Sequence, residues 1–490
     1  MSQSATTTRP EDRISFAQRL AYGSGAFANN LLAGAIVGMI VLLYEELGVS
    51  LVLLGVITGA PRFFDAITDP IIGYISDNFK SRWGRRRPFI FVGAILVGVS
   101  FFFLWQFPDG REPMFYFWYY LIGSLIFFMA YTVFATPWVA LGYELTPDYD
   151  QRTLLMGTQN FIGQLAFFLP PYMLFIAKQA EWFPDPIDGA RWVAAGVAII
   201  VIITGTIPAI FLRERLADVA IKESKAHHGA GSGFFSEIGY FFRSMGQALS
   251  FIPFLKICLV TFLVFNGFIL IASYGYFVLS YYVFNGDTEA AAGMGALVAT
   301  VGTFANFFIV AFVTYLATRI GQRRTFIIAI SLAIVGYAMK TFAYSPDYPW
   351  LILLPAPLMA FGLGSLFTLM PSMMADIVDQ DELRTGERRE GMFASIYWWV
   401  VKLGQTAASM GGAWLLASTG LDAELGGNQS EATLLLLRVY DIGLPILLYA
   451  LAIALVATID VSREKSEAVR REIERRRAKD EADTVLNPAE

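Results

Sequence analysis

Twelve long, uninterrupted apolar stretches decide most of what this chain can fold into. They fall at about 22–44, 51–76, 88–107, 114–143, 153–177, 192–212, 253–284, 291–317, 325–343, 350–375, 391–417 and 434–459. Each is close to the ~20 residues that an α-helix needs to cross ~30 Å of hydrocarbon. Because the runs are continuous, they do not read as β-barrel strands, which alternate residue by residue over about ten positions. Composition points the same way: 56% of the 490 residues are hydrophobic and 16% charged, against the roughly 25% charged of soluble domains. The 42 Phe, 22 Tyr and 10 Trp suit a lipid-facing surface and not a watery one. The expected fold class is therefore an all-α membrane protein of twelve transmembrane helices. Residues 1–19 are polar and the first apolar run outlasts a signal-peptide core, so the N-terminus is expected to stay attached.

Residue chemistry narrows the function classes. Cys258 is the one cysteine, and His227 and His228 are the only histidines, both in a polar stretch. Intramolecular disulfides and thiolate zinc sites are thereby excluded, and Ser-His catalysis nearly so. No nucleophile with a neighbouring base and no phosphate loop stands in the sequence, so neither an enzyme nor a cofactor nor a nucleic-acid partner is expected.

The loops assign orientation. Lys80, Arg82, Arg85, Arg86 and Arg87 crowd between spans two and three, and Arg319, Arg323 and Arg324 lie between spans eight and nine. Basic loops belong in the cytoplasm, which places both termini there. The opposite linkers carry Asp109, Glu112, Glu181, Asp185, Asp188, Asp287, Glu289, Asp347, Asp422, Glu424 and Glu431. The polar interruption at 213–250, with a Gly-Ala-Gly-Ser-Gly stretch, divides the spans six and six and reads as a hinge. The expected organisation is a cytoplasmic N-terminus (1–21), a six-helix half (22–212), a central loop (213–250), a second half (251–460) and a charged tail (461–490). The arginines and glutamates of that tail suggest a solvated or membrane-surface helix.

An internal repeat supports the division. Arg82-Trp-Gly-Arg-Arg-Arg-Pro-Phe89 returns 237 residues later as Arg319-Ile-Gly-Gln-Arg-Arg-Thr-Phe326, and Pro137 and Gly157 return as Pro371 and Gly391 after 234. Parallel six-span halves are the repeat pattern of major-facilitator transporters. The two basic motifs would act as a cytoplasmic gate, pairing with acidic residues such as Asp77, Asp148 and Asp379 when the inner side closes.

A charge at mid-bilayer costs about 2.5–3.5 kcal/mol on insertion scales, so each one needs a reason. Lys256, Lys340 and Arg438 lie near span ends, from which long side chains reach water. Arg62, Asp65 and Asp69 on span two and Lys402 on span eleven lie near mid-membrane. At about 100° per residue, the first three share an arc of roughly 60° on one helix face. Two carboxylates so close in low dielectric have three outcomes open to them. One takes a proton, a cation binds between them, or Arg62 and Lys402 neutralise them. Pro70 removes one backbone bond and would free the Ala66 carbonyl beside Asp65. An all-oxygen ligand set of this kind suits Na⁺ or H⁺. At the repeat offset the second half has Gly302 and Asn306, so the cation site belongs to one half.

The stretch Arg62-Phe-Phe-Asp65-Ala-Ile-Thr-Asp69-Pro-Ile-Ile-Gly73, followed by Ser81-Arg-Trp-Gly-Arg-Arg-Arg-Pro88, resembles the signature of the glycoside-pentoside-hexuronide cation symporters. These are the melibiose-permease-like branch of the major facilitator superfamily. Tyr22–Phe27, Tyr131–Pro137, and Asp376–Gly391 leading to Lys402 are similar to the same family, so the likeness spans nearly the whole chain. The resemblance implies Na⁺- or H⁺-coupled uptake of a small solute by alternating access, with the cation on Asp65 and Asp69 and a hydroxyl ligand on Thr132. It also places Thr68 where the family has an asparagine near the cation, and Arg62 and Lys402 as charged neighbours.

The solute side departs from the galactoside-transporting relatives, which have aspartates where this chain has Asn30 and Ala135. Their stacking tryptophan is displaced as well, with Trp138 one position early and Val139 at the matched place. Candidate solute ligands are Asn30, Trp138, Tyr143, Gln159, Asn160, Gln164, Asn266, Tyr397 and Trp398, which together describe a neutral, hydrogen-bonding cavity for a sugar, glycoside or polyol. The alternative, an exporter or a lysophospholipid-type carrier, comes from the same superfamily branch. The expected setting is a monomer in a bacterial inner membrane, whose partners are the lipid bilayer, the solute and the coupling cation.

Overall fold

The computed structural model describes residues 13–79, 81–146, 149–214, 248–270, 274–385 and 390–459, with isolated positions between 465 and 475. Most of the central loop and tail, together with Lys80, Asp148, His227 and His228, lies outside them. Twelve helical spans are present: α1 Phe16–Gly38, α2 Leu51–Asn78, α3 Arg87–Leu104, α4 Pro113–Glu144, α5 Tyr149–Leu165 and α6 Pro186–Phe211. They are followed by α7 Ile252–Ile269, α8 Thr288–Ile320, α9 Gln322–Ala343, α10 Ala356–Thr385, α11 Glu390–Ser418 and α12 Glu431–Ala457. Three spans are composite. A short helix, Leu42–Glu45, extends α1, and Tyr274–Val278 with a π-helical turn at Leu279–Val283 extends α7. Span α5 passes through a 3₁₀ turn, Ala166–Phe168, into Pro170–Ala177. That break falls where Pro170 and Pro171 remove two successive backbone donors.

Eleven spans are both long and apolar enough to cross a bilayer among the described residues. The twelfth, α11, has the length, but Lys402, Gln405, Thr406 and Ser409 dilute it. Helix starts explain part of the acidic bias at one end of the bundle. Ser50, Asp185, Asp287 and Ser430 cap α2, α6, α8 and α12 by accepting from Leu53, Asp188, Ala290 and Thr433 backbone N–H groups. A carboxylate at that position also complements the helix dipole.

The packing repeats. Helix α1 packs on α5 and α6, α2 on α4, and α3 on α4 and α6. Adding six to each number gives the corresponding contacts of the second set: α7 on α11 and α12, α8 on α10, and α9 on α10 and α12. The two sets meet along two seams, α2 with α11 and the second part of α5 with α8.

Candidate cation and solute site

The α2–α11 seam is close because two glycines face it. A Cβ added to Gly55 would lie 2.5 Å from Ala413 Cβ, and one added to Gly59 would lie 2.7 Å from Met410 Cγ. Further along the same helices this approach places α2 carboxylates within reach of α11. Lys402 Nζ sits 2.9 Å from Asp65 Oδ2 and also bonds Asp69 Oδ2. Thr132 of α4 donates to Asp65 Oδ1 at 2.8 Å, and Thr136, one turn on, donates to Asp69 Oδ1 at 3.3 Å. Thr68 Oγ1 lies 3.3 Å from Thr132 Oγ1.

Of the three outcomes open from the sequence, the structure displays a version of the third, without Arg62. That guanidinium lies 4.7 Å from the Phe128 ring centroid, a cation–π placement. The expectation that Arg62 shares in neutralising the carboxylates is thus corrected, because α4 supplies an aromatic face for it instead. Two carboxylates share one ammonium in direct contact, with the Arg62 guanidinium nearby on the Phe128 ring. Access differs across the cluster: the side chain of Asp65 is 2% exposed, but those of Asp69 and Lys402 are 37% and 24% exposed. Helix α2 runs through Pro70 without a break.

The solute candidates divide. Trp138 is buried within the first six helices, where its indole Nε1 donates to the Tyr22 carbonyl at 3.3 Å and its ring stacks on Tyr22 at 5.2 Å. Asn266 donates to the Phe262 carbonyl of its own helix at 2.7 Å, and buried Tyr397 lies 3.3 Å from the Thr261 hydroxyl. These three are packing groups, which corrects the expectation that they face a solute. Asn160 and Trp398 are exposed, and Asn30, Gln159 and Gln164 are half-buried. The side chain of Tyr143 lies outside the described set. One connection was hidden in the sequence. Tyr131 donates to Asn29 Oδ1 at 2.8 Å, and Asn29 Nδ2 donates to Asn30 Oδ1 at 3.2 Å. This chain links a solute candidate on α1 to Tyr131, which neighbours Thr132 in the α4 sequence.

The basic motifs hold helix ends. Arg87 Nε donates to the Ala209 carbonyl at 2.7 Å in the last turn of α6, and Arg323 donates to the Ile459 carbonyl just beyond α12 at 3.0 Å. Cations are favoured at helix C-termini. The backbone N–H groups of Arg85, Arg86 and Arg87 all bond the Glu214 carboxylate, at 2.8–3.0 Å. Arg82 and Arg324 are exposed, and Arg319 lies over Tyr315 at 5.4 Å. Asp379 is half-buried and the Asp77 side chain lies outside the described set. In this conformation Arg87 and Arg323 act as caps within their own six-helix sets.

Two charged groups were misread or missed. Lys340 does not reach for water: it is 5% exposed and pairs with Asp441 Oδ2 at 2.5 Å, where Tyr344 also donates at 2.7 Å. The available signal was Asp441 itself, the one carboxylate of α12 away from its first turn. Thr136 was legible too, one turn beyond Thr132 in the same motif.

The family profile described as MFS/sugar transport protein matches residues 21–463. The chain belongs to this family, the glycoside-pentoside-hexuronide branch of the major facilitators, and is accordingly a membrane symporter-family transporter and not an enzyme. It is 26% identical to an uncharacterized symporter of Synechocystis sp. over 87% of this chain and 88% of that one. It is 23% identical to the putative glycoside/cation symporter YagG of Escherichia coli over 95% and 96%. Among solved structures, a bacterial homolog of the human lysosomal transporter Spinster, inward-facing and unoccupied, superposes with a TM-score of 0.64 at 15% identity, covering 95% and 98%. That last likeness establishes the fold.

Proposed function

We propose that this protein couples entry of Na⁺ or H⁺ to transport of a small neutral solute, a sugar, glycoside or polyol, by alternating access. The observation that carries the reading is Lys402 of α11 bridging Asp65 and Asp69 of α2 across the seam between the two helix sets. Two carboxylates share the one ammonium in contact with them, and the more accessible members, Asp69 and Lys402, are the ones an incoming cation would meet first. A proton or Na⁺ bound among Asp65, Asp69, Thr132 and Thr68 weakens the hold of Lys402 on α2, which loosens the seam. Solute binding near Asn30 would be felt at the cluster through Asn29 and the Tyr131 hydroxyl, which lies in the field of Asp65 and Asp69. The half-buried or exposed Asn30, Gln159, Asn160, Gln164 and Trp398 supply neutral hydrogen-bonding and aromatic groups for the solute.

In this reading, residues 22–212 and 251–460 rock as two bodies about the 213–250 loop, in a bacterial inner membrane, with residues 1–21 and 461–490 in the cytoplasm. The basic motifs face the cytoplasm and the protein works as a monomer. The deciding experiment is a thermal-shift panel of neutral sugars and polyols on purified protein, with and without Na⁺, since a ligand that binds the folded state raises apparent stability. Stabilisation by one solute that Na⁺ enhances supports symport through reciprocal linkage. Stabilisation by lysolipids alone, with no response to any sugar, would replace the sugar reading with a lipid carrier.

A further inference from the structure

At the acidic end of the bundle, a buried ion pair lies within the first helix set. Lys178, following α5, bonds Glu45 Oε2 at 2.7 Å, and their side chains are 4% and 6% exposed. Each member also holds a neutral hydroxyl of the second set. Lys178 Nζ donates to Thr288 Oγ1 at 2.9 Å, at the first residue of α8, while Tyr276 beyond α7 donates to Glu45 at 3.0 Å. Beside them, Tyr44 donates to the Leu421 carbonyl at 3.1 Å, and Gln179 donates to Glu289 at 3.1 Å. All four of these last contacts join the first six helices to the last six.

We infer that Glu45 and Lys178 form a clasp for the acidic end, with Tyr276 and Thr288 as the parts released in each transport cycle. The division of charge is what makes it reversible. If the ion pair itself spanned the seam, opening would separate two charges in a largely buried site, and each would be left to find a new partner. Here both charges stay together on one side. Opening breaks hydrogen bonds between these charges and neutral hydroxyls, one donated by Tyr276 and one accepted by Thr288, which water replaces as the seam fills. The pair meanwhile keeps its donor and acceptor aimed for reclosure. The inference goes beyond the coupling site, since it rests on the movement of the two helix sets and not on which cation or solute is carried.

The test reads geometry instead of uptake. Spin labels are attached at Glu181→Cys and Glu424→Cys, exposed positions on opposite sets at the acidic end, in a Cys258→Ser background. Distances between them are measured by pulsed electron resonance in lipid nanodiscs without solute. The clasp predicts a dominant short distance in the parent. Tyr276→Phe or Thr288→Val should raise the long-distance population, and the double variant should raise it several-fold. Tyr119→Phe, which removes a hydroxyl bonded to the Phe103 carbonyl within the first set, should leave the distribution unchanged. Tyr276→Phe and Thr288→Val leave the ion pair and the buried carbon framework in place, so monodispersity by size exclusion is expected throughout. A double variant indistinguishable from the parent, or a parent with no short component, would overturn the clasp. Either result would leave the cation site standing, because that site is tested by ligand-dependent stabilisation.

Discussion

The two seams that join the helix sets are equivalent by the packing repeat and opposite in chemistry. Along α2–α11 the contact passes from Gly55 and Gly59 to two carboxylates and a lysine. Along α5–α8, away from the Lys178–Thr288 and Gln179–Glu289 contacts at its acidic end, it is neutral and aromatic: Tyr172 and Thr300 hydroxyls meet at 3.0 Å, and Phe161 and Phe168 lie 5.9 and 6.3 Å from Phe307. Both seams join the sets, and in the proposed mechanism the carboxylate–lysine seam is the one that changes strength when a cation binds. On that reading rocking is coupled to a cation by modifying a single seam, while the aromatic middle of the other serves as a bearing. A repeat in packing does not require a repeat in chemistry, as Gly302 and Asn306 at the positions matching Asp65 and Asp69 already indicate.

The sharpest way to break this comparison is to neutralise the charged seam. Asp65→Asn or Asp69→Asn should reduce cation-driven accumulation in proteoliposomes to that of protein-free vesicles, while insertion is retained. Full uphill uptake by both variants would mean that the charged seam is not the coupling element. A second comparison sets Lys402, which bridges the sets, against Lys340, which is paired inside one. Asp441→Leu strands the Lys340 ammonium in the interior and should cost about 3–5 kcal/mol, visible as a large fall in melting temperature. Lys340→Met combined with Asp441→Leu should recover most of it. If the single variant melts like the parent, the Lys340–Asp441 pair is not the structural element we describe.

Smaller effects test the packing of each seam in turn. Gly55→Val should overpack the α2–α11 contact against Ala413 and cost about 1–3 kcal/mol, with transport slowed. Thr300→Val removes one hydroxyl–hydroxyl contact of the neutral seam, for about 0.5–1.5 kcal/mol, and should leave the accumulation ratio at the parental value. A changed ratio would show that both seams take part in coupling. Smallest of all, Trp138→Phe should lower stability by about 1 kcal/mol through the lost Tyr22 bond and leave solute affinity, measured by calorimetry, as it was.

Much of the fold was legible because hydrophobic length is a local property. A run of about 20 apolar residues is a span wherever it sits, and the repeat of Arg82–Phe89 at Arg319–Phe326 announced the parallel halves before any packing was known. The shared face of Asp65 and Asp69 followed from helical periodicity alone. Other features depend on neighbours distant in sequence. Lys340 looked able to snorkel from its place near the end of α9, until α12 brought Asp441 against it. Trp138 and Tyr397 carried the right groups for a solute, but their directions were set by Tyr22 and Thr261 on adjacent helices.

The sequence by itself determined how many helices span the bilayer, which loops are basic, that the chain is built twice over, and that one face of α2 cannot rest against lipid. Covalent order and side-chain polarity suffice for those, because the bilayer imposes the same length and polarity on every span. Only the tertiary structure decided which charges meet. It set Lys402 on both carboxylates, turned Arg62 to Phe128, made helix caps of Arg87 and Arg323, and gave Glu45 and Lys178 a shared hold on the opposite set. Pairing in low dielectric depends on separations of a few ångströms between helices far apart in the chain, and those separations are fixed by packing at residues such as Gly55 and Gly59.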